Sequence, residues 1–459
     1  MTSESAPRVR ASATVTADVR DGRRARRRAP RRAAALWDPG ARRMRALDRL
    51  RAQEAVRDPA LLPLRYARMA SSPWAYLRGA AAVMAADLAT APHSGLTVQM
   101  CGDAHILNFG LWASPERQLL FDARDFDETL PGPFEWDLKR LTTSIYVLAE
   151  TERLSPACAE EAATAAVGTY REAMGRYAVM GELDVWYDRI TSDVPLKGLT
   201  SEFAEATART IAKQSRKRTH HGVAQQLVTE EDGRRRIALD PMKRLDDGLS
   251  HEQRVRAAEE FYDTYLASIS PHLRRLVNRF QRVDSVRQIV GVGSVGMRVW
   301  LNLLEGDSGR QPVFSQAKQA TASVYEEFLG PGGFANHGER VIVGQRLMQS
   351  ASDIFLGHMR VDGFDYYVRQ YRDMKIIPDG KQIAGYLPQF AATCGHALAK
   401  SHARSGDPAA IAGYIGRGNA FRDGILGYAR DYAQQTHGDH AELRAAIAAG
   451  EIQAAERGW

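Results

Sequence analysis

Residues 286–306, VRQIVGVGSVGMRVWLNLLEG, restrict the fold more than any other stretch, because β-branched and apolar runs lie on both sides of a turn holding three glycines. Gly291, Gly293 and Gly296 form a G-x-G-x-x-G pattern. In a dinucleotide-binding unit such glycines open a helix, and an acidic residue about 20 positions on binds ribose. Here MRVWLNLL reads as a second strand, and the region 20 positions on carries Gln316 and Lys318. The spacing therefore predicts a glycine-tipped β-hairpin and argues against a Rossmann site.

Further strands are expected at PVFSQAK and FDYYVRQY, with a helix, TASVYEEFL, between them, which together make an antiparallel sheet. Elsewhere the chain reads as helical: Arg42 to Arg57, then WAYLRGAAAVMAADLA between Pro73 and Pro92, Trp136 to Glu150, most of 155–280, and Gln382 to the end. Ser155-Pro156 is a cap followed by a first-turn proline. Strands LTVQM and RQLLFDA and the acidic turn RDFDETLPGP lie between the second and third of these helices. The expected class is α+β.

With 459 residues, 44% of them apolar, the chain can bury a large core or two ordinary ones. Its formal charge of +7 suggests a nucleic-acid partner until the charges are located. Residues 1–32 hold ten Arg against Glu4, Asp18 and Asp21, so the rest of the chain is balanced. RRARRRAPRR then reads as a disordered, solvated arm, and nucleic acid is not an expected partner except through it. Cys101, Cys158 and Cys394 have neither disulfide nor zinc spacing. No apolar run reaches the roughly 18 residues of a membrane span, so a cytoplasmic protein is expected.

The chemistry concentrates in MCGDAHILNFG, residues 100–110. Phosphoryl transfer needs a carboxylate to orient and deprotonate a hydroxyl, and hard oxygen ligands to hold Mg²⁺ on nucleotide phosphates. Asp103 and Asn108, in a D-x-x-x-x-N spacing, supply one of each. Asp122, Asp125, Asp127 and Glu128 follow within seven residues, a density of like charge that favours a bound cation.

G-D-A-H-I-L-N resembles the catalytic loop H-G-D-x-H-x-x-N of aminoglycoside and choline phosphotransferases, with Cys101 in the place of the first His. That resemblance implies Asp103 as catalytic base, His105 as the second His and Asn108 as a metal ligand. It also implies a metal-binding Asp opening a D-F-x-D segment, which matches Asp125 with Asp122 as runner-up. Asp137, at the start of a helix, has the spacing of a further Asp of those kinases. Across roughly residues 40–440 the chain resembles the bacterial family called domain of unknown function 2252, through RYARM, SPWAYLRGAA, CGDAHILNFG, FDARDFDETLPGPFEWDLKRL, VGVGSVGMR, GQRLMQSASDIFLG, YYVRQYRDMK and ALAKSHARSGD.

Strand, glycine loop, strand, a strand bearing Lys318, and a helix bearing Glu326 and Glu327 follow the order of a kinase small lobe. There Gly291, Gly293, Ser294 and Gly296 would cover the nucleotide phosphates, Lys318 would neutralise them, and a helix Glu would hold the Lys. Because this segment lies about 190 residues after Asp103, the expected fold is a circularly permuted, protein-kinase-like one. Its parts would be a disordered tail (1–35), a catalytic-loop part of a helical large lobe (36–154), a helical insert (155–284), a small β-rich nucleotide-binding lobe (285–376) and C-terminal large-lobe helices (377–459). The lobes would connect near YYVRQYRD. Arg65, Arg68, Arg78 and Asp127 are candidate substrate residues; Arg369, Asp373 and Lys375 suit a half-buried strand entering a cleft. His402 suits a helix C-terminus, and Arg216-Lys217-Arg218 a solvated face. The expected function is ATP- and Mg²⁺-dependent phosphoryl transfer to a small-molecule hydroxyl. The alternatives are a nucleotide-binding, pseudokinase-like module without turnover and a nucleotidyl or AMP transferase.

Overall fold

The computed structural model describes residues 13–194, 220–231, 233–240, 243–245, 262–306, 312–371, 375, 376 and 378–456, with isolated positions between 205 and 250. Asp373 and the basic run at 216–218 lie outside the described residues. The principal N-terminal helices are α1 (Ala13–Ala25), α2 (Leu62–Ala70), α3 (Pro73–Gly79) and α4 (Ala81–Leu88). Ser72 caps α3 by accepting the Ala75 N–H, and Pro73 fills the first turn. The single helix expected from Trp74 onward is broken after Gly79. A Cβ there would stand 2.7 Å from the Met69 side chain, so the approach of α2 selects glycine, the weakest helix former after proline.

Two short ribbons follow: β1 (Thr97–Met100) pairs antiparallel with β4 (Leu130–Pro133), and β2 (Phe109–Ala113) with β3 (Leu119–Ala123). Helix α5 (Phe134–Thr151) then runs through the core, buried on every side from Phe134 to Ala149. It is flanked by α6 (Pro156–Tyr177) and by three helices near the C-terminus, described below.

The β-rich part begins at α7 (His220–Leu227) and the hairpin of β5 (Val228–Glu231) and β6 (Arg234–Ile237). Strand β7 (Arg244–Leu245), helix α8 (Pro271–Val277), β8 (Phe280–Gln288), β9 (Val299–Gly306) and β10 (Pro312–Ala320) come next. After α9 (Glu326–Leu329) and α10 (His337–Met348) come β11 (Gly357–Val361) and β12 (Phe364–Gln370). Six of these strands form one antiparallel sheet in the order β11-β12-β10-β9-β8-β7. One face buries Val286, Leu301, Leu303 and Phe314 against α7 and the β5–β6 hairpin. The other packs Ala317, Met359, Tyr366 and Val368 against Tyr265, Ile269 and Val277. Beyond β12 the chain returns to the helical body, where Leu111 and Ile376 exchange both backbone hydrogen bonds at 3.1 and 2.8 Å.

Helices α11 (Leu387–Ala403), α12 (Pro408–Ile415) and α13 (Ala420–Ala448) complete the helical body. The alanine-rich stripe Ala159, Ala162, Ala163 and Ala166 lets α6 meet α11 closely, and a Cβ at Gly395 would stand 2.1 Å from the Ala166 carbonyl oxygen. Phe134, Tyr170, Tyr414 and Phe421 form an aromatic cluster where α5, α6, α12 and α13 converge.

Three expectations change. Residues 13–35 are not a disordered arm: α1 is packed on α12, where a Cβ at Gly22 would stand 1.8 Å from the Ala410 carbonyl oxygen. Arg26 donates to the Gly413 and Tyr414 carbonyls at 2.5 and 2.9 Å, and Arg31 to that of Ile415 at 2.9 Å. These arginines satisfy the carbonyl end of α12, a use that a count of charges does not reveal. Nor is 155–284 a separate helical insert, since α6 belongs to the helical body whereas β7 and the start of β8 belong to the sheet. TASVYEEFL is helical only over Glu326–Leu329, with an irregular start at 321–325. The class is α+β, as expected. No helix of the described residues is long and apolar enough to cross a membrane.

Candidate active site

The loop that carries Asp103 is held from below by α5. The Asp137 carboxylate accepts the backbone N–H groups of Cys101 and Gly102 at 2.6 and 2.9 Å, and lies 3.2 Å from His402 Nε2. His402 is fully buried and its Nδ1 meets the Tyr170 hydroxyl at 2.8 Å, so it braces this loop rather than capping a helix end. Gly102 has φ +84°, and a Cβ there would stand 2.3 Å from the Glu128 carbonyl oxygen, so only glycine fits. One helical turn beyond Asp137, the buried Arg140 donates from Nε to Asp103 Oδ1 at 2.9 Å. Asp103 keeps partial exposure towards the cleft. Asn108 donates its side-chain N–H to the Asp103 carbonyl at 2.6 Å, which leaves its own carbonyl oxygen as the atom able to bind a cation.

The four acids of the turn serve different ends. Asp122 is fully buried and ion-paired with Lys400 Nζ, also fully buried; its carboxylate also accepts the Ser350 N–H and hydroxyl, both at 3.1 Å. Asp127 is ion-paired with Lys318 and accepts the Tyr367 hydroxyl at 2.7 Å. Burial opposes its charge, but Lys318 and Tyr367 outweigh that and hold the carboxyl below the usual range. Glu128 accepts the Val324 N–H at 2.8 Å, and burial pushes its pKa up to about 7. Asp125 is the exception, because its Oδ1 is buried without a hydrogen-bond partner. Burial, then Asp127, raise its pKa against the pull of Lys318 and Arg369. Arg340, from α10, fixes the turn by donating to the Thr129, Asp127 and Thr321 carbonyls at 2.5, 2.7 and 2.9 Å.

The glycine loop between β8 and β9 closes over the same region. Its carbonyls are taken by the helical body: Arg68 donates to Gly291 at 2.8 Å, and Arg57 to Gly293 and Val295 at 2.8 and 2.6 Å. The Asp58 N–H donates to the Gly296 carbonyl at 2.8 Å. A Cβ at Gly293 would stand 3.2 Å from the Arg78 carbonyl oxygen, so the loop lies directly on α3. A cavity of about 240 Å³ opens between Gly293 and Ser294 on one side and Asp127 and Glu128 on the other.

The structure thus joins Asp103 to Asn108 and, through their charges, to Asp125, Asp127 and Lys318, while Gly293 and Ser294 border the same cavity as Asp127. Arg78 joins them, its charge acting on Asp103 and Asp125 while its Nε is buried without a partner. Arg369 faces Asp125 and Asp127, and Lys375, pushed down to about 7 by burial and by Arg369, also lies within reach of Asp125. Other candidates stand apart. His105 is buried, edge-on to Trp74 with centroids 5.4 Å apart, and burial together with Arg78 keeps it neutral. Arg65 is buried beneath α3, donating to Gln53 and the Gly79 carbonyl. Glu326 and Glu327 do not hold Lys318. Glu326 accepts the Ser323 N–H and lies 3.5 Å from Arg340 Nε, and the exposed Glu327 pairs with Arg49. The lysine's partner comes instead from the acidic turn.

Among the described residues no three His, Cys, Asp or Glu side chains converge as a metal cage. Mg²⁺ does not need one, because it binds through one or two protein ligands, water and substrate phosphates. The orphaned Asp125 oxygen, near enough to Asp103 for their charges to act on each other, fits that mode.

The model of the family described as "Uncharacterized protein conserved in bacteria (DUF2252)" matches residues 57–446. The chain belongs to the DUF2252 family. No curated protein and no solved structure matches it.

In this DUF2252 protein, sequence reasoning missed the residues that hold the others in place. Arg140, three residues after Asp137 on one face of α5, was visible as helix spacing in WDLKRL. Arg340 and Tyr325, whose hydroxyl donates to the Gly102 carbonyl at 2.6 Å, act on backbone carbonyls and leave no spacing signal.

Proposed function

We propose that this cleft binds ATP with Mg²⁺ and transfers the γ-phosphoryl group to the hydroxyl of a small molecule. The observation that carries the reading is the buried, unpartnered Asp125 oxygen, in the field of Asp103, Asp127 and Lys318. A native fold tolerates such a carboxylate where a cation completes it. Asp125 and the Asn108 carbonyl would hold Mg²⁺, which neutralises phosphate charge as it develops. Lys318 and Arg78 would neutralise phosphate oxygens, and Gly293 and Ser294 would cover them.

Asp103 takes the acceptor's proton as the acceptor oxygen bonds to γ-phosphorus and the bond to the β-phosphate oxygen breaks. Its Oδ1 is tied to Arg140, which fixes the carboxylate plane and turns the other oxygen to the acceptor. The order of parts, with the glycine loop after the Asp103 loop and β12 leading back to β2, supports a permuted kinase-like arrangement.

A second reading has one observation in its favour: Arg140 already occupies Asp103 Oδ1, at 2.9 Å, an ion pair that suits a site that keeps nucleotide without turnover. Label fate decides. With γ- or α-labelled ATP and a small-molecule extract, the kinase reading expects the γ label alone to move to a new product, and only with Mg²⁺. Transfer of the α label means a nucleotidyl transferase, and saturable binding with no transfer means the second reading.

A further inference from the structure

The two faces of β10 are put to different uses. Lys318 and Gln316 point to the acidic cleft and to Arg369, whereas Val313, Ser315 and Ala317 line a separate cavity of about 270 Å³ on the opposite face. Aromatic side chains wall this cavity, among them Tyr262, Tyr265, Phe280, Trp300 and Phe364. Its lid is held by the Tyr265 hydroxyl donating to the Phe355 carbonyl at 2.8 Å and the Tyr262 hydroxyl donating to that of Val277 at 2.7 Å.

The floor is polar in one line. Ser285, Asn302, Ser315 and Gln370 are successive register partners on β8, β9, β10 and β12, and all four face the cavity. Ser285 Oγ donates to Asn302 Oδ1 at 2.8 Å, and Asn302 Nδ2 reaches Ser315 Oγ at 3.4 Å. Asparagine is disfavoured in a central strand, and here its neighbours on the same face are Trp300 and Leu304. A packed apolar core has no use for such a row. Amides and hydroxyls converging in an aromatic-walled cavity are the make-up of a ligand pocket. At one end Arg298, stacked over the Phe364 ring at 3.8 Å, closes the cavity with a cation.

We infer that this cavity is a second ligand site, distinct from the cleft. Its occupant is a flat, uncharged heteroaromatic molecule whose edge carries a carbonyl or ring nitrogen. The aromatic walls select the flat face; the Asn302–Ser315–Gln370 row has N–H and O–H groups to offer an acceptor. Arg282 and Arg298 outnumber Asp362 on the lining and disfavour a cation. An alkyl chain would offer the Ser315 hydroxyl and the Gln370 amide no acceptor, the situation in which a hydrogen-bonding site discriminates most strongly.

The test uses three bicyclic probes of one shape: 1(2H)-isoquinolinone, naphthalene and N-methylquinolinium, followed by saturation-transfer NMR and by quenching of Trp300. Isoquinolinone is expected to bind at least tenfold more tightly than either of the others. Asn302→Leu, which removes a half-buried polar group and keeps the branched four-atom side-chain skeleton, should cost isoquinolinone at least tenfold while leaving naphthalene unweakened. Ala317→Phe, which fills the floor, should abolish binding of both, with unchanged far-UV dichroism reporting the fold. If isoquinolinone and naphthalene bind alike, or if Asn302→Leu leaves isoquinolinone unaffected, the row is structural and the inference falls. Absence of binding by all three at millimolar concentration overturns it equally. None of these outcomes depends on phosphoryl transfer at the cleft.

Discussion

Asparagine at Asp122 and asparagine at Asp125 each remove one negative charge from the same turn, and the structure predicts opposite effects on stability. Asp122 and Lys400 are both fully buried, and each also bonds Ser350. Burial already disfavours the Lys400 charge, with Asp122 opposing that loss. Removing the anion strands a cation in the core, which costs about 3–5 kcal/mol and, at about 2.1 cal/mol/K per residue over 459 residues, roughly 3–5 °C in melting temperature.

Asp125 has no such partner at Oδ1, and burial and Asp127 both act against its charge. Asp125→Asn removes a charge that burial and Asp127 oppose, so it should be more stable than wild type in metal-free buffer at pH 8. The pH sign follows from linkage. A carboxyl with a raised pKa contributes stability below its unfolded value and loses it as pH rises, so the gain of Asp125→Asn should be smaller at pH 5. Mg²⁺-ATP should then stabilise the wild type by about 2.7 kcal/mol at a hundred times its Kd, and Asp125→Asn by at most about 1.4 kcal/mol at the same concentration. Urea unfolding followed by fluorescence at both pH values, with and without Mg²⁺-ATP, reads all of this. A neutral Asp122→Asn together with a destabilised Asp125→Asn would exchange the roles of the two residues and refute the reasoning.

Other predictions are simpler. Gly102→Ala forces a side chain into φ +84° against the Glu128 carbonyl and should cost at least about 2 kcal/mol, measured by chemical unfolding. Glu128, held near 7 by burial, should lower stability as pH rises from its unfolded value through 7; Glu128→Gln should flatten that slope in unfolding free energies. Lys318→Met leaves Asp127 with Tyr367 as its remaining hydrogen-bond donor and should weaken Mg²⁺-ATP binding at least tenfold by calorimetry, whereas Glu326→Gln should not.

What the sequence revealed depended on how local the signal was. The hairpin around Gly291–Gly296 and the strand at Lys318 were legible, because β-branched runs and glycines act on their own neighbours. Asp103, Asn108 and Asp125 stood out in the sequence as candidates by residue type and spacing. Among the four acids of the turn, however, only long-range partners separate their roles: Lys400 lies 278 residues from Asp122 and Lys318 lies 191 from Asp127. The N-terminal arginines misled for the same reason, since the carbonyls they satisfy on α12 lie more than 380 residues away. His105 had the right spacing for a catalytic role, yet its ring turns into the core against Trp74.

The claim that matters most is that the cleft is a metal-nucleotide site built on Asp125 and worked by Asp103. Calorimetric titration of ATP with and without Mg²⁺, into wild type, Asp125→Asn and Asp103→Asn, tests it directly. Binding should require Mg²⁺, persist within about threefold in Asp103→Asn and weaken at least tenfold in Asp125→Asn. ATP binding that ignores both Mg²⁺ and Asp125, or no binding to a folded wild type, would contradict it.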